Sequence, residues 1–444
     1  MYEKYITSPV PWIKEIPSHW ALIRGKNLYK KMQRPVRKED GVVTCFRDGT
    51  VTLRKNRRTT GFTESLQEIG YQGIKKGDLV IHVMDAFAGS IGVSDSDGKG
   101  TPVYNVCQAI GDSNNFYFAL LLREMARTGY IQSLYRGIRE RSSDFRFEVF
   151  ASQFYPIPPR DEQEQIVRFL DWKVSAINRL INLRRKEIKF LEDVREIIIC
   201  NSVYGINTNS KPIINEIEHI NIPSHWKRMR IKNLFDMRDE RNHKALQDVN
   251  LLSLYAKLGV IQNKDIEYSM GNHARTAEGY KKVYKNDIVV NIILCWMGAV
   301  GISLYDGVTS PAYDVYIPRQ NVCSQYYHYL FRTKIFSDEC YKAGKGIMAM
   351  RWRVYSPQFR NICVPYPPII EQIEIVNYLV RKCKIIENHI QLIHGQIENL
   401  HDLKARLISD VVTGKIDVRG VEVPEFAPVE EEAGTDIVEE EVSE

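Results

Sequence analysis

The sequence predicts a mixed α/β (α+β) fold in which one globular unit of roughly two hundred residues is written twice, each copy running into a long helix. Two observations carry this. The first is an internal repeat: Ile16-Pro17-Ser18-His19-Trp20 returns as Ile222-Pro223-Ser224-His225-Trp226, a shift of 206. At a shift of 209, Lys76-Gly77-Asp78-Leu79-Val80 matches Lys285-Asn286-Asp287-Ile288-Val289, Gly89 and Gly92 match Gly298 and Gly301, and Gly137-Ile138 matches Gly346-Ile347. The second is a heptad stripe. In alternating steps of four and three, Leu170, Val174, Ile177, Ile181, Arg184, Ile188, Leu191, Arg195 and Ile198 are mostly apolar, which is the seam of a coiled coil. Adding 209 gives a cleaner stripe: Leu379, Cys383, Ile386, Ile390, Ile393, Ile397, Leu400, Lys404 and Leu407.

In the first unit, residues 42–46 (VVTCF), 78–84 (DLVIHVM), 90–94 (SIGVS) and 102–107 (PVYNVC) are short apolar or alternating runs between Gly and Asp turns, and read as strands. Residues 115–127 are the clearest globular helix. The G-x-x-G pairs, Gly89 with Gly92 and Gly298 with Gly301, are weak as phosphate loops and are expected to be turns of close backbone packing. From Pro158-Pro159 the chain meets no further Pro or Gly through Val203, and Asp161 and Glu162 suit the positive end of a helix dipole. The second unit repeats the order with 251–255, 287–294, 299–305 and 312–317 as strands and 325–333 as the helix. Pro367-Pro368 with Glu371-Gln372 then matches Pro158-Pro159 with Glu162-Gln163. At about 1.5 Å per residue each long helix spans roughly 60 Å, too long for an ordinary core helix. Trp20, Phe87, Trp226 and Trp296 lie beside apolar runs at matched or nearly matched places and are assigned to cores.

With 444 residues the chain can bury two or three cores. No apolar run reaches membrane-span length, and the first residues lack the basic-then-apolar order of a signal peptide, so a cytoplasmic location is expected. The eight cysteines include no C-x-x-C pair and no His at ligand spacing, so reduced thiols are expected and no metal site is assigned. The formal charge is +6, yet nine carboxylates (425, 430, 431, 432, 436, 439, 440, 441 and 444) lie in the last twenty residues with no Lys or Arg, leaving 6 + 9 = +15 on the rest. A body this basic suits a polyanion, because Lys and Arg displace counterions condensed on nucleic acid. The acidic tail, 421–444, is expected to be disordered.

The repeated frame carries two different sets of polar loops. Residues 47–60 read RDGTVTLRKNRRTT, against KLGVIQNKDIEYSMGNHARTAEG at 257–279, and after the shared Gly-Ile come RERSSDFRF and MAMRWRV. Rewritten loops on a kept frame are what two readers of different targets require. Arg and Lys pair well with guanine edges and phosphates, and Asn or Gln with adenine. The candidate DNA-contacting residues are Arg47, Arg54, Lys55, Arg57, Arg58, Arg139, Arg141 and Ser142 in the first unit, and Lys257, Arg275, Lys345, Arg351 and Arg353 in the second.

The twice-written domain with its IPSHW entrance, the heptad helix opening P-P-x-x-E-Q and the closing run LISDVVTGKIDVR at 407–419 together resemble the specificity subunit of a type I restriction-modification system, from about residue 16 to residue 419. The resemblance implies a bacterial antiviral defence protein with two target-recognition domains, 1–157 and 205–366. Between them it implies two antiparallel coiled-coil spacer helices, 158–204 and 367–420, with 421–444 left as the acidic tail. It implies that each domain reads one half of an asymmetric, two-part site on double-stranded DNA. The spacer would dock two modification subunits, which bind S-adenosylmethionine and methylate adenine, and motor-nuclease subunits that use ATP and Mg2+ would join them.

No catalytic residue is assigned to this chain. An adenine methyltransferase would carry an Asn/Asp-Pro-Pro-aromatic motif and a Gly-rich cofactor loop, and an ATPase a G-x-x-x-x-G-K-[ST] loop; the sequence has neither. Two rival readings are a DNA-modifying enzyme in its own right and a coiled-coil scaffold joining protein-binding domains without DNA.

Overall fold

The computed structural model of the chain describes residues 1–57, 69–134, 145–206, 220–256, 259–263, 276–346 and 352–432. It divides into two compact units, Met1–Arg185 with Gly395–Glu444, and Lys186–His394. Two continuous helices, Arg160–Tyr204 and Ile369–Val412, each begin in one unit and end in the other. The boundaries of the compact units therefore fall inside the long helices, not at their ends. The reason is packing: Ile166, Phe169 and Leu170 from the start of the first long helix and Val411 and Val412 from the end of the second belong to the core of the first unit.

In the first unit, strands β1 (Tyr29–Lys31), β2 (Leu79–His82), β3 (Ile91–Val93) and β4 (Tyr104–Ala109) form an antiparallel sheet in the order β1-β4-β2-β3. Strand alternation divides β2 between two cores: Leu79 and Ile81 enter the larger one, and Val80 a smaller one on the other face. Helix α1 (Asn115–Arg127) covers the larger face with Tyr117, Leu121, Leu122 and Met125, and Asn114 caps it by accepting from the Phe116 and Tyr117 amides. A hairpin of Val43–Cys45 and Val51–Leu53 closes the smaller face. Gly92 in β3 lets that hairpin approach, since a Cβ there would lie 1.9 Å from the Gly49 carbonyl oxygen.

The second unit has β5 (Phe235–Arg238), β6 (Ile288–Asn291), β7 (Val300–Ile302) and β8 (Tyr313–Pro318) in the order β5-β8-β6-β7, helix α2 (Ser324–Phe331), and a hairpin of Leu252–Tyr255 with Gly259–Gln262. Its helix stops two residues before the predicted end, because Thr333 caps the next helix, accepting from the Phe336 amide at 3.3 Å. Trp20 and Trp226 are buried, and Phe87 and Trp296 pack on the edges of the two main cores.

The repeated motifs meet each other. In the first unit Glu162 accepts hydrogen bonds from Tyr2 (2.5 Å), Trp20 Nε1 (2.9 Å) and His19 Nε2 (2.8 Å). In the second, Glu371 accepts from Trp226 Nε1 (2.8 Å) and His225 Nε2 (2.9 Å). The neighbouring glutamines pin the globular helices, Gln163 Oε1 accepting from the Asn114 amide and Gln372 Oε1 from the Cys323 amide, both at 2.8 Å. Each long helix ends on a left-handed glycine, Gly205 (φ 63°) or Gly414 (φ 77°), seated on Pro223 and Trp226 or on Pro17 and Trp20. IPSHW is thus a socket for the start of one long helix and the end of the other. Removing the buried acceptor in Glu162→Ala leaves three donors without a partner, and is expected to cost about 2–3 kcal/mol in urea unfolding. Glu371→Ala is expected to cost under about 1 kcal/mol, since Glu371 is 34% exposed where Glu162 is 4%.

The two long helices run antiparallel within each unit. In the first, Gln165 reaches the Val418 carbonyl and Asn178 reaches Lys404; in the second, Glu187 lies 3.9 Å from His389 and Arg195 bonds Glu387 at 3.3 Å. Of the predicted seam, Leu170, Ile177, Ile181 and Ile397 are buried in the first unit and Leu379, Ile386, Ile390 and Ile393 in the second. Val174, Ile188, Leu191, Ile198, Leu400 and Leu407 are half-buried. The polar interruptions are used: Arg195 makes that cross-helix pair, and Lys404 Nζ donates to Asn178 Oδ1 at 2.8 Å.

One expectation is corrected. Residues 421–432 of the acidic tail lie along the first long helix, tied through Gln165, Ser175, Asn178, Asn182 and Arg185. Composition predicts disorder there because it registers charge and not the polar helix face that receives it. Residues 433–444 lie outside the described residues. Among the described residues no helix is long and apolar enough to cross a membrane. All eight cysteines are free, with Cys45, Cys107, Cys295 and Cys340 buried.

Candidate nucleic-acid interface

The first hairpin gathers four of the predicted cations. Its register, Val43 opposite Leu53 and Cys45 opposite Val51, leaves 46–50 as the turn, closed by the Phe46 amide donating to the Thr50 carbonyl at 2.8 Å. Arg47 projects from that turn with 68% of its side chain exposed and donates to Asp85 at 3.1 Å. The strand leaves into a short turn, Arg54–Asn56, on which Lys55 is exposed and Arg54 is half-buried, donating to Thr44 Oγ1 at 3.3 Å. Arg57 stacks over Phe46, 4.7 Å from the ring centre, and pairs with Asp48 at 2.5 Å. Burial alone would push the Asp48 carboxyl up, but the Arg57 and Thr50 hydrogen bonds outweigh it and hold it at about 2. Arg57 therefore braces the hairpin, while Arg47 and Lys55 are its outward cations.

In the second unit Lys345 and Arg353 are brought face to face. Their backbones exchange hydrogen bonds of 2.9 and 3.1 Å, closing the base of the 346–352 loop with both side chains exposed. Trp352 stacks on Tyr341 with ring centres 5.1 Å apart and donates to the Tyr341 carbonyl at 3.0 Å, which stiffens that base. Both units fasten this region alike, the Phe145 amide donating to Val83 O and the Val354 amide to Ile292 O. Arg58, Arg139, Arg141, Ser142, Lys257, Arg275 and Arg351 lie outside the described residues.

Arg123 and its counterpart 209 residues later, Arg332, were not singled out by composition or loop divergence. Arg123 sits under the first hairpin turn, where a Cβ on Gly49 would come within 2.5 Å of its Nη1, and it makes no hydrogen bond or ion pair among the described residues. Burial pushes its pKa down. It lines a cavity of about 430 Å3 with Arg47, Phe87, Arg127, His401 and Lys404. Arg332 lies beneath the second hairpin beside Gly259 and donates to the Val300 carbonyl at 3.5 Å. The available signal was an arginine at the same repeat position, within α1 in the first unit and just after α2 in the second.

Among the described residues no group of three or more His, Cys, Asp and Glu could hold a metal ion. On the long helices Leu180, Leu183 and Leu403 in the first unit, and Phe190, Ile385 and Leu392 in the second, are each at least half exposed.

No family model matches the chain. The MjaVIII type I restriction enzyme specificity subunit of Methanocaldococcus jannaschii is 22% identical over 334 residues, covering 70% of this chain and 72% of that protein. Among solved structures, a chain from a study of complex assembly and conformational transition of the type I R-M system superposes with a TM-score of 0.65 at 14% identity, covering 90% of this chain and 99% of that one. The HsdS subunit of Thermoanaerobacter tengcongensis superposes with a TM-score of 0.50 at 14% identity, covering 90% and 98%. Over more than two thirds of both proteins, then, this chain is similar in sequence to a type I restriction enzyme specificity subunit, and it shares the fold of the type I R-M and HsdS chains that superpose on it.

Proposed function

We propose that each unit reads one half of a two-part site on double-stranded DNA and that the paired long helices set the distance between the halves. The observation that carries this is a frame repeated to the level of single hydrogen bonds that bears two unlike cationic loop sets. Cations on a braced hairpin and on the paired Lys345 and Arg353 suit the task physically: phosphate contacts fix register and side chains at the groove edge discriminate bases. The exposed apolar residues of the long helices suit the docking of two modification subunits, with motor-nuclease subunits added to that assembly. S-adenosylmethionine, ATP and Mg2+ then belong to those partners and act in the cytoplasm, and this chain supplies selection, not catalysis.

A gel-shift with the chain and its modification partner on mixed genomic fragments tests the reading. Selective retention that survives competitor DNA is the expected result; none at any salt would favour the scaffold. In the same assay Arg47→Ala with Lys55→Ala is expected to weaken binding roughly tenfold at low salt and to reduce the salt slope by about two.

A further inference from the structure

The C-terminal segment is held by a groove that fits it residue by residue. Asn182 Nδ2 donates to the Glu430 carbonyl and its Oδ1 accepts from the Glu432 amide, both at 3.0 Å, so one side-chain amide takes the backbone on either side of Glu431. Asn178 donates to the Val429 carbonyl at 2.8 Å, and Ser175 Oγ accepts from the Val429 amide at 3.3 Å. These bonds read extended backbone. Between them Glu431 is read by charge: Arg185 (2.8 Å), His401 (2.9 Å) and Lys404 (3.0 Å) all donate to its carboxylate. With the segment in place Ser175, Asn178 and Asn182 are buried beneath it.

The seat of Glu431 adjoins the reading hairpin. His401 and Lys404 also line the 430 Å3 cavity that Arg47, Arg123 and Arg127 enter from the first unit's globular part. The charge of Glu430 also reaches Arg57. Burial would raise the Glu431 carboxyl, but Lys404 and His401 hold it at about 2, so it stays ionised at neutral pH.

We infer that Ser175, Asn178, Asn182, Arg185, His401 and Lys404 form a receptor for an extended acidic peptide, and that the chain's own C-terminal segment, docked there, competes with DNA phosphate for the cations of the first hairpin. The inference rests on the DNA-reading proposal and adds a built-in control of its affinity. Ending the chain at Ala427 removes the carboxylates of 430, 431, 432, 436, 439, 440, 441 and 444 while keeping the Gln165 tie to Val421.

The test compares complexes of the modification subunits with the full-length chain, the chain ending at Ala427, and full-length Glu431→Gln. Affinity for a random duplex is measured across a salt series, and capture of a synthetic 428–444 peptide by fluorescence anisotropy. The shortened complex is expected to bind duplex roughly tenfold more tightly at low salt, with the gain fading as salt rises. Glu431→Gln should give a gain of about threefold. The peptide in trans should bind the shortened complex and reverse its gain, and Asn182→Ala in that complex should abolish capture. Equal duplex affinity for all three complexes, or no peptide capture, would overturn the inference while leaving the DNA reading intact. Failure of every complex to retain duplex would overturn both.

Discussion

Exchanging residues 16–155 for the matching segment of a relative with another target is expected to replace one half of the methylated DNA site and leave the other half unchanged. The first unit's sheet and helix α1 share their main core with Ile166, Phe169, Leu170, Val411 and Val412 of the long helices, the hairpin closes a smaller core of its own, and a small set of repeated polar contacts fixes how the parts join. A donor segment that keeps Pro17, Trp20 and Asn114 will find Gly414, Glu162 and Gln163 waiting in the same geometry. Base discrimination is a sum of local groove contacts, each good bidentate pair contributing about 1–3 kcal/mol, so replacing one hairpin and one loop base changes the bases read by that unit alone. Single-molecule sequencing of methylated adenines in the exchanged strain reads this directly. Changes in both halves would mean that the units do not read separately.

The second large effect concerns length. Seven residues inserted after Arg185 and seven after His394, where the compact units divide, lengthen each long helix by about 10 Å. A heptad preserves the apolar face, so Ile177, Ile181 and Ile397 stay buried on one side of the insertion and Ile386, Ile390 and Ile393 on the other. At about 3.4 Å per base pair the unread gap in the site is expected to grow by about three base pairs, with both half-sites unaltered. Inserting the heptad in one helix alone keeps the pairing on one side of the insertion only, moving either Arg195 off Glu387 or Lys404 off Asn178, and is expected to abolish methylation of the site. A gap of unchanged length in the doubly extended chain would show that the helices do not set it.

Much of this architecture was legible because repetition amplifies weak signals. A single DLVIHVM run could be strand or buried helix, but the same run at a fixed shift, followed each time by a glycine turn, defines the unit. The heptad stripe was legible for the same reason, down to its charged interruptions. Three things were not. Glu162 was read as a dipole partner at a helix start, whereas its main work is to accept from Trp20, His19 and Tyr2; those residues are over 140 positions away, and no local pattern marks such a contact. Arg57 was picked as a DNA contact by charge, and no local pattern marked that it also stacks on Phe46 and pairs with Asp48 within the hairpin. The tail looked disordered because its charge is what composition weighs. Ser175, Asn178 and Asn182, spaced along one face of the helix, were the counterpart signal, which a count of charges does not weigh.

The most direct measurement is the adenine methylome of the host with and without this gene. The account predicts a two-part motif with a fixed unread gap, methylated in the parent strain and unmethylated throughout the genome when the gene is deleted. A deletion strain whose adenine methylation is the same as the parent's would contradict it.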